Sequence, residues 1–237
     1  MVEYFNPVKM HHPYIRPRDA ATLIIVDTSE STPRILMGKR HENHRFMPGK
    51  FVFPGGRVDP VDSRIKPLAP LTQETEQKLS RQLSARSGKN KPQALALAAI
   101  REMYEETGLL IGRQTDASKT SRAPSWQAFF DHNIGPALDQ LTFIARAITP
   151  PGRPRRFDTR FFMCDVNSIA KRETLEKSPS NELLELNWLT KEEALEKDLA
   201  NITQIVLGEI EARLNGQFDR PIPFYFHRGN AVFRHEL

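Results

Sequence analysis

Residues 92–108 constrain the chain more than any other segment, because they describe a helix with two incompatible faces. Pro92 suits a first helical position, where its missing N–H would be unpaired anyway. The run Ala94-Leu95-Ala96-Leu97-Ala98-Ala99-Ile100 follows, and Gly108 supplies a left-handed stop. At 3.6 residues per turn, Glu102, Glu105 and Glu106 fall within an arc of about 100°. Ala96, Leu97, Ile100, Met103 and Tyr104 lie opposite. One face is therefore expected to be buried and the other to present three carboxylates. Like charges at i,i+3 and i,i+4 each cost roughly a few tenths of a kcal/mol. The macrodipole also disfavours acids near a helix C-terminus. A bound cation would relieve that repulsion, and hard carboxylate oxygens suit Mg²⁺. The alternative is a solvated acidic face with Arg101 pairing Glu105 one turn on.

Around this helix the pattern is mixed. Residues 21–26 and 34–40 read as a strand pair joined by a turn at 29–33, with β-branched and apolar side chains in the first. A loop at 41–50 leads to Phe51-Val52-Phe53, which stops abruptly at Pro54-Gly55-Gly56. Residues 68–90 are polar, with weak helical spacing of Leu71, Leu79 and Leu83, and read as an excursion from the core. Strands are expected at 141–148, 158–166 and 183–189, and helices at 191–197 and 201–214. The aromatic-rich residues 218–233 offer either cover for a core edge or a dimer contact. Strict βαβ alternation is absent, and no Gly-rich dinucleotide fingerprint follows a strand, so an α/β (α+β) class is expected rather than a Rossmann fold. At 237 residues, 1–237 is expected to form a single domain with an insertion.

The formal net charge of +5 suits a polyanionic substrate, but the basic residues are scattered along the chain, which argues against a nucleic-acid surface. The lone cysteine, Cys164, lies in an apolar run and is expected to be a packed thiol. No stretch approaches the apolar length of a membrane span, and the N-terminus lacks the pattern of a signal peptide. A cytoplasmic protein is expected.

Arg101-Glu102-Met103-Tyr104-Glu105-Glu106-Thr107-Gly108-Leu109 resembles the end of the Nudix box, R-E-U-x-E-E-x-G-U, where U is a bulky aliphatic residue. Gly56, in Phe53-Pro54-Gly55-Gly56, resembles the opening glycine of that box. Between Gly56 and Arg101 lie 44 residues where the pattern has 13, which places an insertion at about 63–91. The first glutamate of the box has two candidate positions, Asp62 counted forward from Gly56 and Gln93 counted back from Arg101. In the family that residue is structural and braces the arginine. The spacing of Leu36, Met37, Arg40, Arg45, Gly49 and residues 53–56 resembles the motif of the coenzyme A diphosphatase branch, although Gly38 and His41 replace its threonine and serine. The last three residues, His235-Glu236-Leu237, are not a peroxisomal address, so a bacterial-type relative is expected.

The resemblance implies an α/β/α sandwich with a mixed, curved sheet and a loop-helix-loop catalytic motif. It implies that Glu102, Glu105 and Glu106, with a backbone carbonyl of Gly55 or Gly56, hold Mg²⁺ or Mn²⁺. Arg101 and Gly108 are structural in the motif. A general base is implied at Glu102 or at Glu182 on a later loop, and Arg40 and Arg45 are candidate contacts for substrate phosphates. The implied reaction is hydrolysis of a phosphoanhydride in a small-molecule diphosphate. Coenzyme A or an acyl derivative leads over NADH, ADP-ribose and dinucleoside polyphosphates. A nucleotide-binding module without catalysis is the alternative of another class.

Overall fold

The computed structural model describes residues 15–43, 47–81, 83–84, 87–116, 123–172, 180, 182–228 and 231–237. In chain order the strands are β1 (Arg18–Asp27), β2 (Arg34–Arg40), β3 (Phe51–Val52), β4 (Gly55–Arg57), β5 (Leu109–Ile111), β6 (Arg113–Gln114), β7 (Ile134–Gly135), β8 (Thr142–Ile148), β9 (Phe157–Asp165), β10 (Ile169–Arg172), β11 (Leu183–Leu189), β12 (Pro223–Arg228) and β13 (Ala231–Glu236). The helices are α1 (Gln73–Ser80), α2 (Lys91–Thr107), α3 (Gln127–Asp131), α4 (Lys191–Leu195) and α5 (Asn201–Leu214).

β1 is the axis of the molecule. Residues 20–26 are all buried, and the strand pairs in parallel with β9 from Arg18↔Phe157 to Val26↔Asp165. Its side chains alternate between two cores, as the pleat of a strand requires. Ala21, Leu23 and Ile25 join Leu95, Ile100, Met103, Trp126 and Phe129 on the α2 side. Ile24 and Val26 join Met37, Val206, Leu207 and Ile210 on the α5 side. A strand covered on both faces reads as a continuous apolar run, which explains the sequence of residues 21–26. The main sheet runs β11-β2-β1-β9-β8-β12-β13, with β3 on β2 and β4 on β1. Two of its pairings, β1 with β9 and β12 with β8, are parallel and the others antiparallel. This is the mixed sheet between helical layers that the sequence implied.

The strands expected at 34–40, 141–148, 158–166 and 183–189 and the helices at 191–197 and 201–214 match β2, β8, β9, β11, α4 and α5 to within two residues, and the strand expected at 21–26 extends to Arg18–Asp27. The short elements β5, β6, β7, β10 and α3 and the β12–β13 hairpin are not read from the sequence. Two further places differ. The Gly55-Gly56 segment does not simply stop a strand: it is β4, paired antiparallel to β1 through Thr22↔Gly55, Ala21↔Gly56 and Ala20↔Arg57. The polar stretch before α2 is also no excursion. Ile65, Leu71 and Leu79 are buried in the α2-side core. The Leu68 N–H donates to the Pro136 carbonyl at 2.8 Å, and the Leu138 N–H to the Ala69 carbonyl at 2.9 Å. The reason lies in α2, whose residues 94–101 are buried all round and so need cover on the side away from the sheet.

At the C-terminal edge, Phe224 and Tyr225 are buried while Phe218 and Phe233 are exposed. Cys164 is buried, and burial pushes its thiol up to about 12. No helix among the described residues is long and apolar enough to cross a membrane.

Leu79 reports on the insertion. Leu79→Ala is expected to lower the unfolding free energy by about 2–4 kcal/mol, as truncation of a buried leucine does. A loss below about 0.5 kcal/mol in denaturant titration, the size seen at ordinary surface positions, would show that α1 is loosely attached.

Candidate active site

The site is organised from the buried guanidinium of Arg101. Its Nε donates to Asp62 Oδ1 at 2.9 Å and its Nη2 to Asp62 Oδ2 at 3.0 Å, a fork of the kind arginine is shaped to make. Nη2 also donates to the Arg57 carbonyl at 2.8 Å, tying α2 to β4. Nη1 reaches back to its own helix, to Glu102 Oε1 at 2.9 Å and Glu105 Oε2 at 2.8 Å. The anticipated i,i+4 pair with Glu105 therefore exists, but not on a solvated face: Arg101 is 4% exposed and Asp62 is 0% exposed.

Of the two candidate braces, Asp62 fills the role. It starts a 3₁₀ turn spanning Asp62–Arg64, and it also accepts the Asp59 N–H at 2.8 Å and the Trp126 indole N–H at 3.3 Å. Gln93 instead donates to the Ile65 carbonyl at 3.2 Å. The inserted residues consequently lie between the brace and the helix it braces. Trp126 was missed from sequence because nothing local marks it; its ring packs on Phe129 with centroids 4.9 Å apart.

Glycine is required at the corner where β4 crosses the helix. A Cβ on Gly56 would lie 2.4 Å from Glu102 Oε2. One on Gly55 would lie 2.6 Å from the Ala21 carbonyl oxygen and 2.7 Å from the Thr22 Cα. This close approach lets the Gly55 N–H donate to Glu106 Oε2 at 2.8 Å. Glu106 is 1% exposed, and its Oε1 has no hydrogen-bond partner. That corrects the expectation of three solvent-facing carboxylates, because β4 and Arg40 roof this part of the helix. Glu102 and Glu105 are partly exposed.

Arg40, at the end of β2, faces the acids. Its Nη2 lies 3.6 Å from Glu106 Oε1 and its Nη1 lies 4.0 Å from Glu182 Oε2. The segment carrying Glu182 is tied to both neighbours: the His41 N–H donates to the Glu182 carbonyl at 3.2 Å, and the Ser180 N–H to the Glu105 carbonyl at 2.9 Å. The structure thus brings Arg40, Gly55, Gly56, Glu102, Glu105, Glu106 and Glu182 to one place, with Arg101 beneath and Gly108 closing α2 at φ 74°. Arg45 lies outside the described residues.

Electrostatics follow from this crowding. Burial pushes Glu106 up to about 8, against the pull of Arg40 and the Gly55 N–H. Burial likewise raises Glu102 to about 7, with Arg101 opposing and the charges of Glu105 and Glu182 adding to the rise. Glu105 is raised for the same first reason. Among the described residues no three His, Cys, Asp or Glu side chains already converge as a metal cluster. The acids are instead engaged by Arg101, Arg40 and Gly55. The donor set nonetheless fits a hard divalent cation: all ligand candidates are carboxylate or backbone carbonyl oxygens, and one carboxylate oxygen, Glu106 Oε1, is buried without a hydrogen bond.

A mixed sheet between two helical layers, with a glycine corner seated on an R-E-x-x-E-E-x-G helix, defines a Nudix-type architecture. The comparisons agree. The chain is 28% identical over 193 residues to nudix hydrolase 7 of Caenorhabditis elegans, covering 77% of this chain and 55% of that protein. It is 27% identical over 233 residues to the acyl-coenzyme A diphosphatase NUDT19 of Xenopus laevis, covering 78% of this chain and 60% of that protein. The chain thus spans a little over half the length of these curated relatives. A NUDIX hydrolase from Alicyclobacillus acidocaldarius superposes with a TM-score of 0.58 at 29% identity, covering 81% of this chain and 90% of that one. No family model matches. In sequence and in fold, this chain is similar to Nudix hydrolases.

The two glycines separate structure from site. Gly55→Ala drives a Cβ into backbone and is expected to lower stability markedly, whereas Gly56→Ala meets only a movable carboxylate and should keep the fold while displacing Glu102. Equal melting temperatures for the two variants would contradict this geometry.

The raised acids set a pH dependence. Folded Glu102 and Glu106 keep protons that the unfolded chain releases near 4.5, so stability falls as pH rises from 4.5 towards about 7 and about 8 respectively. In chelator, the melting temperature should drop between about pH 5 and about pH 8.5, and Glu106→Gln should flatten the drop. An unchanged drop in the variant would place Glu106 elsewhere.

Proposed function

We propose that the chain is a divalent-cation-dependent hydrolase of a phosphoanhydride bond in a nucleoside diphosphate linked to another group. The observation that carries this is the junction of the Gly55-Gly56 corner with three crowded glutamates, whose ionised forms are costly unless positive charge is brought in. In this reading Glu102, Glu105 and Glu106, with a carbonyl of Gly55 or Gly56, hold Mg²⁺ or Mn²⁺. Such an ion, when bound, offsets charge on the phosphoryl oxygens and acidifies water.

The chain's own groups divide the remaining work. Arg101, fixed by Asp62, orients the Glu102 and Glu105 carboxylates. The Gly55 N–H and Arg40 fix Glu106. Arg40, with Arg45, supplies guanidinium donors to substrate phosphates. Glu182 takes the proton of the attacking water at its carboxylate. It suits that role better than Glu102 because its side chain is 45% exposed and is not held by Arg101.

Among substrates, coenzyme A or an acyl-coenzyme A is favoured by the spacing of Leu36, Met37, Arg40, Arg45, Gly49 and residues 53–56. The name of the Xenopus laevis relative points the same way. Residues 1–237 then act as one domain, in a reducing cytoplasmic setting that suits a lone buried thiol.

Purified protein incubated with Mg²⁺ and coenzyme A should release 3′,5′-ADP and 4′-phosphopantetheine, identified by mass. Glu106→Gln should lower turnover by about two or more orders of magnitude, and Glu182→Gln should lower kcat more than it raises KM. Cleavage of NADH, ADP-ribose or a dinucleoside polyphosphate in preference would reassign the substrate. Full activity of Glu106→Gln would refute the site.

A further inference from the structure

The hydrogen bonds around Arg101 and Asp62 form a closed set. A guanidinium has five N–H donors, and all five of Arg101 are used: two on Asp62, one on the Arg57 carbonyl, and one each on Glu102 and Glu105. An ionised carboxylate offers about four lone-pair sites, two on each oxygen. Those of Asp62 are filled as well. Oδ2 accepts the Asp59 N–H at 2.8 Å beside Arg101 Nη2, and Oδ1 accepts the Trp126 indole N–H at 3.3 Å beside Arg101 Nε.

Trp126 is the member of this set that comes from neither α2 nor the segment that starts with β4. It ends a 3₁₀ turn at Pro124–Trp126, directly before α3. The indole is 0% exposed, so bulk water does not reach Asp62 past it. Its ring packs on Phe129, whose own ring meets Tyr104 edge-on at 5.8 Å, and Tyr104 lies on α2 between Met103 and Glu105. A path from Tyr104 through Phe129, Trp126 and Asp62 therefore returns to α2 at Arg101, about one turn before its start.

Packing alone asks only for an aromatic ring at this place. An N–H aimed at a buried, charged oxygen is a further property, and such charge-assisted bonds are stronger than neutral ones. Without that donor Asp62 Oδ1 keeps only Arg101 Nε, and the carboxylate is free to tilt within its turn. Arg101 tilts with it, and Nη1 carries the change to Glu102 and Glu105. Resting on the proposed hydrolase function, we propose that Trp126 is a positioning residue for that reaction. Its indole N–H, through Asp62 and Arg101, sets where the oxygens of Glu102 and Glu105 stand. Removing a group that orients metal-binding side chains from behind typically costs about 10–100-fold in affinity or activity.

The test compares Trp126→Phe, which keeps a ring against Phe129 and removes the donor, with Phe129→Leu, which weakens the packing and keeps the donor. The substrate is whichever of coenzyme A, NADH and ADP-ribose wild type cuts fastest. Trp126→Phe should lower kcat by about tenfold or more and leave KM nearly unchanged. Its affinity for Mn²⁺, read by calorimetry without substrate, should fall by a similar factor. Phe129→Leu should melt at a lower temperature than wild type yet keep kcat and Mn²⁺ affinity close to it. Wild-type values in Trp126→Phe, or losses in Phe129→Leu that match them, overturn the proposal and leave Trp126 as core packing. A measurement on wild type alone covers the case in which Trp126→Phe does not fold. Of the two tryptophan indole protons, that of Trp126 should exchange slowly with solvent and shift in the ¹H–¹⁵N spectrum as Mg²⁺ is titrated. A Trp126 indole that exchanges fast or ignores Mg²⁺ is the contrary result. If wild type binds Mn²⁺ and Trp126→Phe weakens that binding, but none of these compounds is cut, the hydrolase reading fails and the positioning role stands.

Discussion

The buried ion pair between Arg101 and Asp62 is the constraint on which the rest of the site depends. Removing one partner of a buried pair leaves an uncompensated charge, at a cost of about 3–5 kcal/mol. This pair has a further consequence, because the other face of the same guanidinium holds two of the three helix carboxylates and its remaining donor holds β4. Position and charge are thus set by one group. Where Asp62 sits, Arg101 sits, and where Arg101 sits, Glu102 and Glu105 are held beside the glycine corner.

The surrounding fold serves that pair in concrete ways. β1, buried on both faces, fixes β4 in register, and β4 brings glycine rather than a side chain against the helix. The inserted residues cover α2 from the side away from the sheet, and Trp126, which follows α2 in the chain, donates its indole N–H to Asp62. The insertion therefore leaves the two halves of the motif in contact. It leaves the chain after the brace and returns at the start of the helix, a path that spares every contact between Arg101 and its partners.

Much of this was legible in the sequence wherever the signal was local. The apolar run of residues 94–100, Pro92 at the start and Gly108 at the end specify α2, and β-branched residues specify β1. The identity of the brace was not legible, because Asp62 and Gln93 satisfy the same spacing when counted from opposite ends. The burial of Glu106 was not legible either. A helical wheel places it on the acidic face, but only the nonlocal approach of β4 and Arg40 removes that face from water. Trp126 stands 64 residues from the carboxylate it meets. Each miss comes from contacts between segments that no local pattern connects.

The site as built holds its acids in an electrostatically expensive arrangement, with Glu106 buried and pushed up to about 8 beside two other carboxylates. A divalent ion at that point, as proposed, would resolve the expense, and an anomalous difference map from crystals soaked in Mn²⁺ tests it most directly. A peak within about 2.0–2.4 Å of carboxylate oxygens of Glu102 or Glu106, beside the Gly55-Gly56 corner, is the predicted result. A peak elsewhere in the molecule, with those carboxylates still engaged only by Arg101, Arg40 and Gly55, would contradict it.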